Sequence, residues 1–552
     1  MEKYYKKILW LAIVLYVVVF SLVSIYKYTH FLYNGIDLAI INNVFWNTVH
    51  GHWFWSSIQG HSYLGDHCSP ILILLLPVYF LWQSPLLLLI LQSVFLGLAA
   101  WPIYKIASKI LCHCEEEQSD DVAISLREAT LTGSRRPPQS RGPRDDSKTL
   151  ALAIAVLWLI NPLTHNINLH EFSFISLLPL AFFTLFYLYL RLEKESRNKK
   201  LLHCFIVTLL ICLAIREDIA FIILIFSLII LFNLRQTTYD KRLTTNNLRH
   251  RVLLVVSCLL LSIAWLFVSH KIISAHSPSG FTPFAYYYSW LGSAGSSAIA
   301  AHILSYKNLE MIVGFLLPFL FIPLIKPKWL LLALIPLAQI ILSASGGGAQ
   351  VFMMHYGALF LPALVIAFIF GFHRANQFIK DKLKSKYLLL VCLMVTNIFL
   401  WVDFGIFKKE IYPERSELSN TRQANINETF KSVVIQDKTA SILASYRFLA
   451  NLSSRENIYA LHYYFLGVQQ FAQGPYTLNK KPEYVILDKN DLLDFEKNLK
   501  NSKWAGKYYE NGQQGLRELL KDYGVVDFQA DVVLFKRGYK SEIKLDELNL
   551  DW

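Results

Sequence analysis

Residues 65–82 read GDHCSPILILLLPVYFLW. A polar turn containing Asp66 and His67 precedes an apolar run over 70–82. That run is too short to cross a membrane, because a spanning helix needs about 20 residues. We therefore predict an interfacial helix that lies on the outer membrane surface. The polar turn has two interpretations. Asp66 or Ser69 caps this helix, or the helix N-terminus and His67 bind a phosphate group.

Longer apolar runs recur on both sides of this stretch. The chain is 54% hydrophobic and only 17% charged, whereas soluble domains carry roughly a quarter charged residues. We predict an α-helical multi-pass membrane protein with about eleven transmembrane helices in addition to the interfacial helix. The predicted spans are residues 8–26, 84–109, 150–165, 173–192, 201–215, 219–234, 252–270, 309–325, 329–344, 357–373 and 387–403.

Positive charge is distributed asymmetrically between the predicted loops. The formal net charge is +13, yet residues 28–83 and 345–356 contain no Lys or Arg. Short basic loops of membrane proteins face the cytoplasm. The sequence therefore predicts a protein of the cytoplasmic membrane with a cytoplasmic N-terminus, and an odd number of spans places its C-terminal part outside. The pattern argues against nucleic-acid binding, because no basic face with stacking aromatic residues lies outside the spans.

Two regions differ from the apolar spans. Residues 113–149 are polar, so we predict a disordered cytoplasmic insertion within a membrane domain over residues 1–409. Residues 410–552 are predicted to form a small soluble α/β domain outside the membrane. Its helix-like runs are residues 440–450 and 516–521. Its strand-like runs are residues 457–461, 484–488, 524–527 and 532–536, and the last two are predicted to form a hairpin.

Cysteine spacing gives little support for a metal site. The seven cysteines show no disulfide framework. Cys112-His113-Cys114 offers three ligands where a structural zinc site uses four. We predict no metal ligands from the sequence, and the involvement of a divalent cation stays open.

Polar side chains gather at the predicted outer ends of the spans. Ionisable groups are costly near a bilayer and commonly mark functional sites there. We therefore predict that Asp37 is catalytic and that the other residues of this group bind substrate. The other residues are Asp66, His67, His170, Glu171, Arg216, Glu217, Asp218, His355 and Tyr356.

Several of these residues have a structural interpretation as well. Asp37 either caps a helix starting near Leu38 or takes part in chemistry. Arg216 either forms an internal salt bridge at a hairpin tip or binds a phosphate through two N–H groups. The pair at 355–356 either anchors the chain at the interface or contacts a ligand. The aromatic loop at 286–290 is either part of an interfacial belt or a surface that stacks on a sugar or an isoprenoid.

The same motifs resemble a family of multi-pass membrane proteins known as domain-of-unknown-function family 2079. The resemblance extends from residue 8 to about residue 405, interrupted by the insertion, and implies no reaction. It is carried by Gly35-Ile36-Asp37-Leu38, Trp46-Asn47-Thr48-Val49-His50-Gly51, Gly65-Asp66-His67-Cys68-Ser69-Pro70, Asn168-Leu169-His170-Glu171-Phe172, Arg216-Glu217-Asp218 and His355-Tyr356-Gly357-Ala358-Leu359.

The arrangement is also similar to the C-type glycosyltransferase superfamily (GT-C). That resemblance implies polyprenyl-phosphate sugars as donors, an acidic residue in the first external loop and a soluble external domain at the C-terminus. It makes Asp37 the catalytic carboxylate, and 67–70 the turn that opens the interfacial helix. The chain departs from many members of the superfamily because Leu38, and not a second acid, follows Asp37.

The sequence leads to an expected function with two alternatives. We expect a membrane glycosyltransferase that moves a sugar from a polyprenyl-phosphate donor to an acceptor on the extracytoplasmic face. Its partners would be the lipid-linked sugar and membrane lipid. The first alternative is a transporter or flippase of a lipid-linked or amphipathic substrate, whose polar groups would lie near the bilayer midplane. The second is a non-catalytic membrane scaffold.

Overall fold

The structure is a computed structural model that describes residues 2–33, 35–111, 144–195, 198–239, 245–278, 282–378, 383–404, 437–468, 475–500, 506–529 and 531–543. The described chain is mostly helical. Its α-helices are Glu2–Thr29 (α1), Asp37–Val49 (α2), Ile71–Leu81 (α3), Pro85–Leu98 (α4), Arg144–Ile160, Pro162–Leu169, Leu178–Lys194, Lys199–Ile215, Ile219–Tyr239, Thr245–His276, Pro283–Tyr288, Ser296–Ile303, Tyr306–Leu316, Leu334–Leu342, Ala349–Met353, Leu361–Phe378, Leu383–Phe404, Tyr446–Leu452, Leu461–Leu466, Lys489–Phe495 and Gly506–Leu520.

Among the described residues, four helical stretches are long and apolar enough to cross a membrane. They are Lys3–Thr29, Pro85–Leu111, Phe174–Lys194 and Arg251–His276. A fifth span is possible if Ser147–Ile160 and Pro162–Leu169, which meet at an angle of 40°, act as one. Five other apolar helices have only 10–17 residues. The multi-pass helical architecture is therefore confirmed, whereas the count of eleven spans is not.

Proline lies at the break in the predicted eighth span and just before the predicted ninth span. The helix Tyr306–Leu316 passes into a 3-10 turn at Pro318, and the next residue but one, Leu320, has a left-handed backbone with φ of 49°. In the ninth span a 3-10 segment, Pro327–Ala333, precedes the short helix Leu334–Leu342. Proline removes a backbone donor, and its ring clashes with the preceding turn of a helix. The apolar runs are continuous in sequence, but the helices are not.

The predicted disordered insertion over residues 113–149 falls mostly outside the described residues. Its last residues are described, and there the helix Arg144–Ile160 already begins. The predicted C-terminal boundary of the insertion is therefore too late.

The short apolar run of the opening motif forms α3, as predicted. This helix exposes Leu74, Phe80 and Leu81, with 84% of Leu81 accessible, while Leu72 and Tyr79 are fully buried. A helix of 11 residues is about 16 Å long. It therefore covers only about half of a hydrocarbon core of about 30 Å.

The two ends of the helical bundle carry different side chains. At one end Lys109 and Arg251 each donate to a backbone carbonyl of the helix Leu178–Lys194. At the other end the turn at Gly65 packs against the end of the helix Thr245–His276. A Cβ on Gly65 would lie only 2.5 Å from a backbone oxygen there. Arg251 and the Gly65 contact are therefore at opposite ends of the helix Thr245–His276, and Lys109 lies at the Arg251 end.

A five-stranded sheet lies in the C-terminal part. Its strand order is β4-β3-β5-β7-β6, with β3 parallel to both β4 and β5, and with β7 antiparallel to β5 and β6. The predicted hairpin is confirmed as β6 and β7. The predicted helix over residues 440–450 is wrong in its first half, where β3 lies fully buried between β4 and β5. A separate hairpin, β1 and β2, lies in the first loop. The strands are Trp55–Ser56 (β1), His61–Ser62 (β2), Ile442–Ala444 (β3), Ile458–Ala460 (β4), Tyr484–Asp488 (β5), Tyr523–Gln529 (β6) and Val532–Arg537 (β7).

The C-terminal part packs on the first loop through buried amides. Asn42 Nδ2 donates to Ser453 Oγ at 2.8 Å, and Asn43 Nδ2 donates to the carbonyl of Arg455 at 2.8 Å. Asn43 Oδ1 accepts from the backbone N–H of Ser57 at 2.9 Å. Both asparagines are fully buried. A buried amide without partners is strongly unfavourable, so these bonds fix the sheet region against α2.

Candidate functional site

The first residue of α2 is Asp37, but this residue is not the helix cap. Ile36 occupies the N-cap position without a side-chain bond, and the Leu38 N–H donates to a carboxylate oxygen of Glu171 at 2.9 Å. Gly35 permits this approach, because a Cβ there would lie 2.1 Å from Glu171 Oε1. Glu171 therefore satisfies the N-terminus of α2. The Asp37 carboxylate is left free of that task, and 41% of its side chain is exposed.

Two histidines face the Asp37 carboxylate. His170 follows the helix Pro162–Leu169, and His355 opens a 3-10 turn, 185 residues further along the chain. His355 Nδ1 lies 3.5 Å from Asp37 Oδ2 and 3.4 Å from His170 Nδ1. One ligand atom from each of the three residues lies within 4.8 Å of the others. Two imidazole nitrogens and one carboxylate oxygen form a donor set that suits a transition-metal ion.

A second pair of groups joins the turn before α3 to a distant loop. His67 Nδ1 lies 2.9 Å from Glu217 Oε1, and the Cys68 N–H donates to Glu217 Oε2 at 3.0 Å. Glu217 is in the short connection between the helices Lys199–Ile215 and Ile219–Tyr239. This carboxylate therefore holds both the imidazole and the backbone of the turn.

The capping interpretation of the turn before α3 is wrong. Pro70 occupies the N-cap position, and no side chain caps the helix. The Asp66 carboxylate instead accepts from Gln59 Nε2 and lies 3.7 Å from His61 Nε2. Ser69, the other proposed cap, is fully buried. Asp66 thus stabilises the first loop through its contacts with Gln59 and His61.

Arg216 forms the predicted internal salt bridge. Its Nε donates to Asp218 Oδ1 at 2.9 Å, and a terminal nitrogen donates to the second carboxylate oxygen. The guanidinium is nearly buried, with 9% of the side chain exposed. A guanidinium has five N–H donors, and Asp218 takes two of them. The salt bridge therefore orients Arg216 and leaves donors for a further anion.

Burial and neighbouring charges shift the pKa values of Asp37, His170 and Glu171. Burial, followed by the nearby charge of Asp37, raises the pKa of Glu171 to about 8. Burial also raises the pKa of Asp37, while the positive charges of His67 and Arg216 lower it in part. Because the Asp37 side chain is partly exposed, water moderates this rise. Burial, followed by the charge of Lys27, lowers the pKa of His170 to about 4.

In the pair of His67 and Glu217, the interaction between the partners outweighs the effect of burial on the pKa. Burial opposes the charged form of His67, but its ion pair with Glu217 outweighs burial and leaves the pKa of His67 raised. Burial likewise raises the pKa of Glu217, but the charges of His67 and Arg216 leave that pKa lowered. The pKa of His355 falls well below its usual value because of burial, followed by repulsion from His170, Arg216 and His67. The surroundings therefore favour the charged form of His67 and the neutral form of His355.

Aromatic side chains surround these groups. The ring of Tyr356 lies 4.3 Å from that of His355. Tyr356, Tyr287, Tyr446 and Tyr463 each interact electrostatically with Asp37. Two of these tyrosines, at 446 and 463, come from the C-terminal part. That part therefore forms one wall of the site.

The structure brings the predicted residues together from five separate stretches of the chain. Asp37, His67, His170, Arg216 and His355 interact directly or electrostatically across the site. The others support them. Glu171 caps α2, Asp66 braces the first loop, Glu217 and Asp218 form ion pairs, and Tyr356 packs beside His355. Whether any of these residues binds a substrate stays a prediction.

The prediction from the sequence did not include the tyrosines that the C-terminal part contributes to the site. No motif there pointed to Tyr446 or Tyr463, because tyrosines near strands are common. It also missed Gln59 and His61, whose role depends on a hairpin of two-residue strands. The one available signal was the conjunction His462-Tyr463 directly after a strand. Loop residues at strand ends often carry function.

Comparison with known proteins gives a family and no reaction. Residues 27–516 match the family model described as "Predicted membrane protein (DUF2079)". The match covers most of the chain, including much of the C-terminal sheet, so the chain belongs to this family. No match was found among curated proteins. The matched region contains every residue of the site described above.

Proposed function

For this member of the DUF2079 family, we propose a membrane glycosyltransferase that uses a polyprenyl-phosphate sugar as donor. One observation carries the proposal: a carboxylate, an imidazolium and a guanidinium from distant loops converge at one end of an apolar helical bundle. The phosphate of a lipid-linked donor lies where hydrocarbon meets water. A site at the end of the spans, next to the apolar helix α3, suits such a donor. We place this end on the extracytoplasmic face because Lys109 and Arg251 lie at the other end, and short basic loops face the cytoplasm.

Asp37 is the proposed general base. Its carboxylate would accept the proton of the acceptor hydroxyl as the hydroxyl oxygen bonds to the anomeric carbon of the sugar. The bond between that carbon and the phosphate oxygen breaks, and the phosphate leaves with the electron pair. The exposed fraction of Asp37 supports this role, because an acceptor must reach the carboxylate. Glu171 fixes the start of α2 and thereby the position of the base.

Arg216 and His67 are the proposed phosphate ligands. Charge develops on the leaving phosphate as the sugar is transferred, and fixed positive groups stabilise that charge. Each of the two side chains forms an ion pair with a carboxylate: Arg216 with Asp218, and His67 with Glu217. Neither needs to reorganise when the donor binds. His170, which lies near Asp37 and beside His355, would contact the sugar.

The tyrosines of the C-terminal part are proposed to contact the sugar or the acceptor. Tyr446 stacks on His462 with ring centroids 4.2 Å apart, and Tyr463 lies against the same imidazole. Aromatic faces pack against the C–H groups of sugars, and phenol groups also form hydrogen bonds. This wall would set the choice of sugar, and the membrane loops would handle the phosphate.

Sugar transfer by Asp37→Asn tests the proposal. The purified full chain in lipid nanodiscs is supplied with polyprenyl-phosphate sugars, and release of polyprenyl phosphate is measured. Loss of a general base slows a reaction by about 10²–10⁴-fold, so we expect at least a hundredfold decrease. His52→Ala, at an exposed position in the same loop, is the control and should retain the wild-type rate. Full activity of Asp37→Asn would remove this residue from the mechanism. Translocation of the intact donor without cleavage would favour a flippase.

A further inference from the structure

Asp37, His170 and His355 form a compact group of donor atoms. His355 Nδ1 is 3.5 Å from a carboxylate oxygen of Asp37 and 3.4 Å from His170 Nδ1. Zinc bonds to nitrogen and oxygen measure about 2.0–2.2 Å. Two ligands at a tetrahedral angle around such an ion lie roughly 3.3–3.5 Å apart. Two of the three separations already have that length. The third is no longer than 4.8 Å, and rotation of the partly exposed carboxylate shortens it.

From this geometry we propose that Asp37, His170 and His355 bind one divalent transition-metal ion. The site is built from three positions in the chain that no single helix or loop would bring together. His355 is almost fully buried, with 7% of its side chain exposed, so its imidazole is held at the cluster. Such a site, with three protein ligands, leaves at least one coordination position open. The metal-binding proposal does not depend on glycosyl transfer.

The donor atoms decide which ion fits. Magnesium and calcium prefer oxygen ligands throughout. Two imidazoles with one carboxylate suit zinc, manganese or iron, among which zinc binds such ligands tightly. Zinc is therefore the probe with which to test the site.

A bound ion would add to the proposed reaction without replacing it. One oxygen of Asp37 would face the metal, and the other would remain for the acceptor hydroxyl. The coordination position that the three residues leave open would be available to a substrate. A phosphate oxygen or a water molecule is the chemistry that such a position takes. If transfer occurs without metal, the proposed function stands, and zinc binding alone decides this inference.

Metal content of the purified chain tests the inference directly. The full chain is prepared with Cys112→Ser and Cys114→Ser, because the Cys-His-Cys tract offers a competing zinc site. It is stripped with chelator, equilibrated with Zn²⁺ in nanodiscs and washed, and zinc is counted by mass spectrometry. We expect about one zinc per chain, and X-ray absorption should show nitrogen and oxygen ligands without sulfur.

Single substitutions locate the ion. His355→Ala and Asp37→Asn should each weaken zinc binding by at least tenfold in a competition titration. His50→Ala removes an exposed imidazole whose Nδ1 contacts the Trp46 carbonyl, and should leave zinc binding unchanged. His355→Gln, a milder change, guards against a variant that does not fold. Less than 0.1 zinc per chain, on the order of background for such a count, or equal affinity in all four variants, would overturn the inference.

Discussion

Replacing Asn43 by alanine tests how the C-terminal part is held over the site. Asn43 is fully buried and makes five hydrogen bonds, two to the backbone after Tyr446–Leu452 and three within the first loop. The two shortest bonds, at 2.8 and 2.9 Å, join it to the Arg455 carbonyl and to the Ser57 N–H. Each buried polar group left without a partner costs about 1–3 kcal/mol. Because water can enter the vacated space, we expect a cost of roughly 2–4 kcal/mol.

This cost falls on the opening of the C-terminal part from α2. A change of 2–4 kcal/mol raises the population of the open state by about 30- to 1000-fold. Native-state proteolysis measures that population when reclosing is faster than cleavage. We expect Asn43→Ala to increase the rate of cleavage in the sheet region by this factor, while His52→Ala does not. Cleavage of Asn43→Ala at the wild-type rate would refute the structural role of this amide.

Two further predictions concern residues that support the site. Gly35→Ala would place a Cβ 2.1 Å from the Glu171 carboxylate and displace the carboxylate that caps α2. We therefore expect the free energy of unfolding in detergent to fall by about 1 kcal/mol. Gly292→Ala, where nothing lies within 4 Å, is the control, and equal melting temperatures of the two variants would contradict the reasoning. The His67–Glu217 pair should show a stability window. The pKa of Glu217 is lowered from 4.5, so its contribution is complete above pH 4.5 and is lost as pH falls through the lowered value. The pKa of His67 is raised from 6.5, so its contribution is complete below pH 6.5 and is lost as pH rises through the raised value. The melting temperature of the wild type relative to Glu217→Gln should therefore be highest between these two pH values, and a difference that is constant with pH would contradict the pair.

Local patterns in the sequence predicted the elements that depend on local forces. The short apolar run after Asp66-His67 forms α3, and the strand pattern near residues 524–536 forms the hairpin of β6 and β7. The orientation that loop charge predicts for the membrane spans stays a prediction. These features depend on hydrophobicity, turn residues and membrane topology, which a single sequence records.

The rest depends on contacts between distant residues. The sequence left open whether Asp37 caps α2, and the answer came from Glu171, 133 residues away from the capped N–H. The pairing of His67 with Glu217 spans 150 residues. The convergence of His170 and His355 on Asp37 depends on the packing of several helices. Hydrophobic periodicity carries no information about such pairs. The grouping of Asp37, His170 and His355 was therefore not predictable from the sequence.

The site at the end of the bundle is proposed to bind the phosphate of a lipid-linked substrate. Electron cryomicroscopy of the full chain in nanodiscs with polyprenyl phosphate, the expected leaving group, tests this claim most directly. We predict phosphate density within hydrogen-bonding distance of Arg216 and His67, with Asp37 on the side open to an acceptor. Phosphate bound at the basic end of the bundle, or Asp37 and Arg216 in separate compartments, would contradict the account.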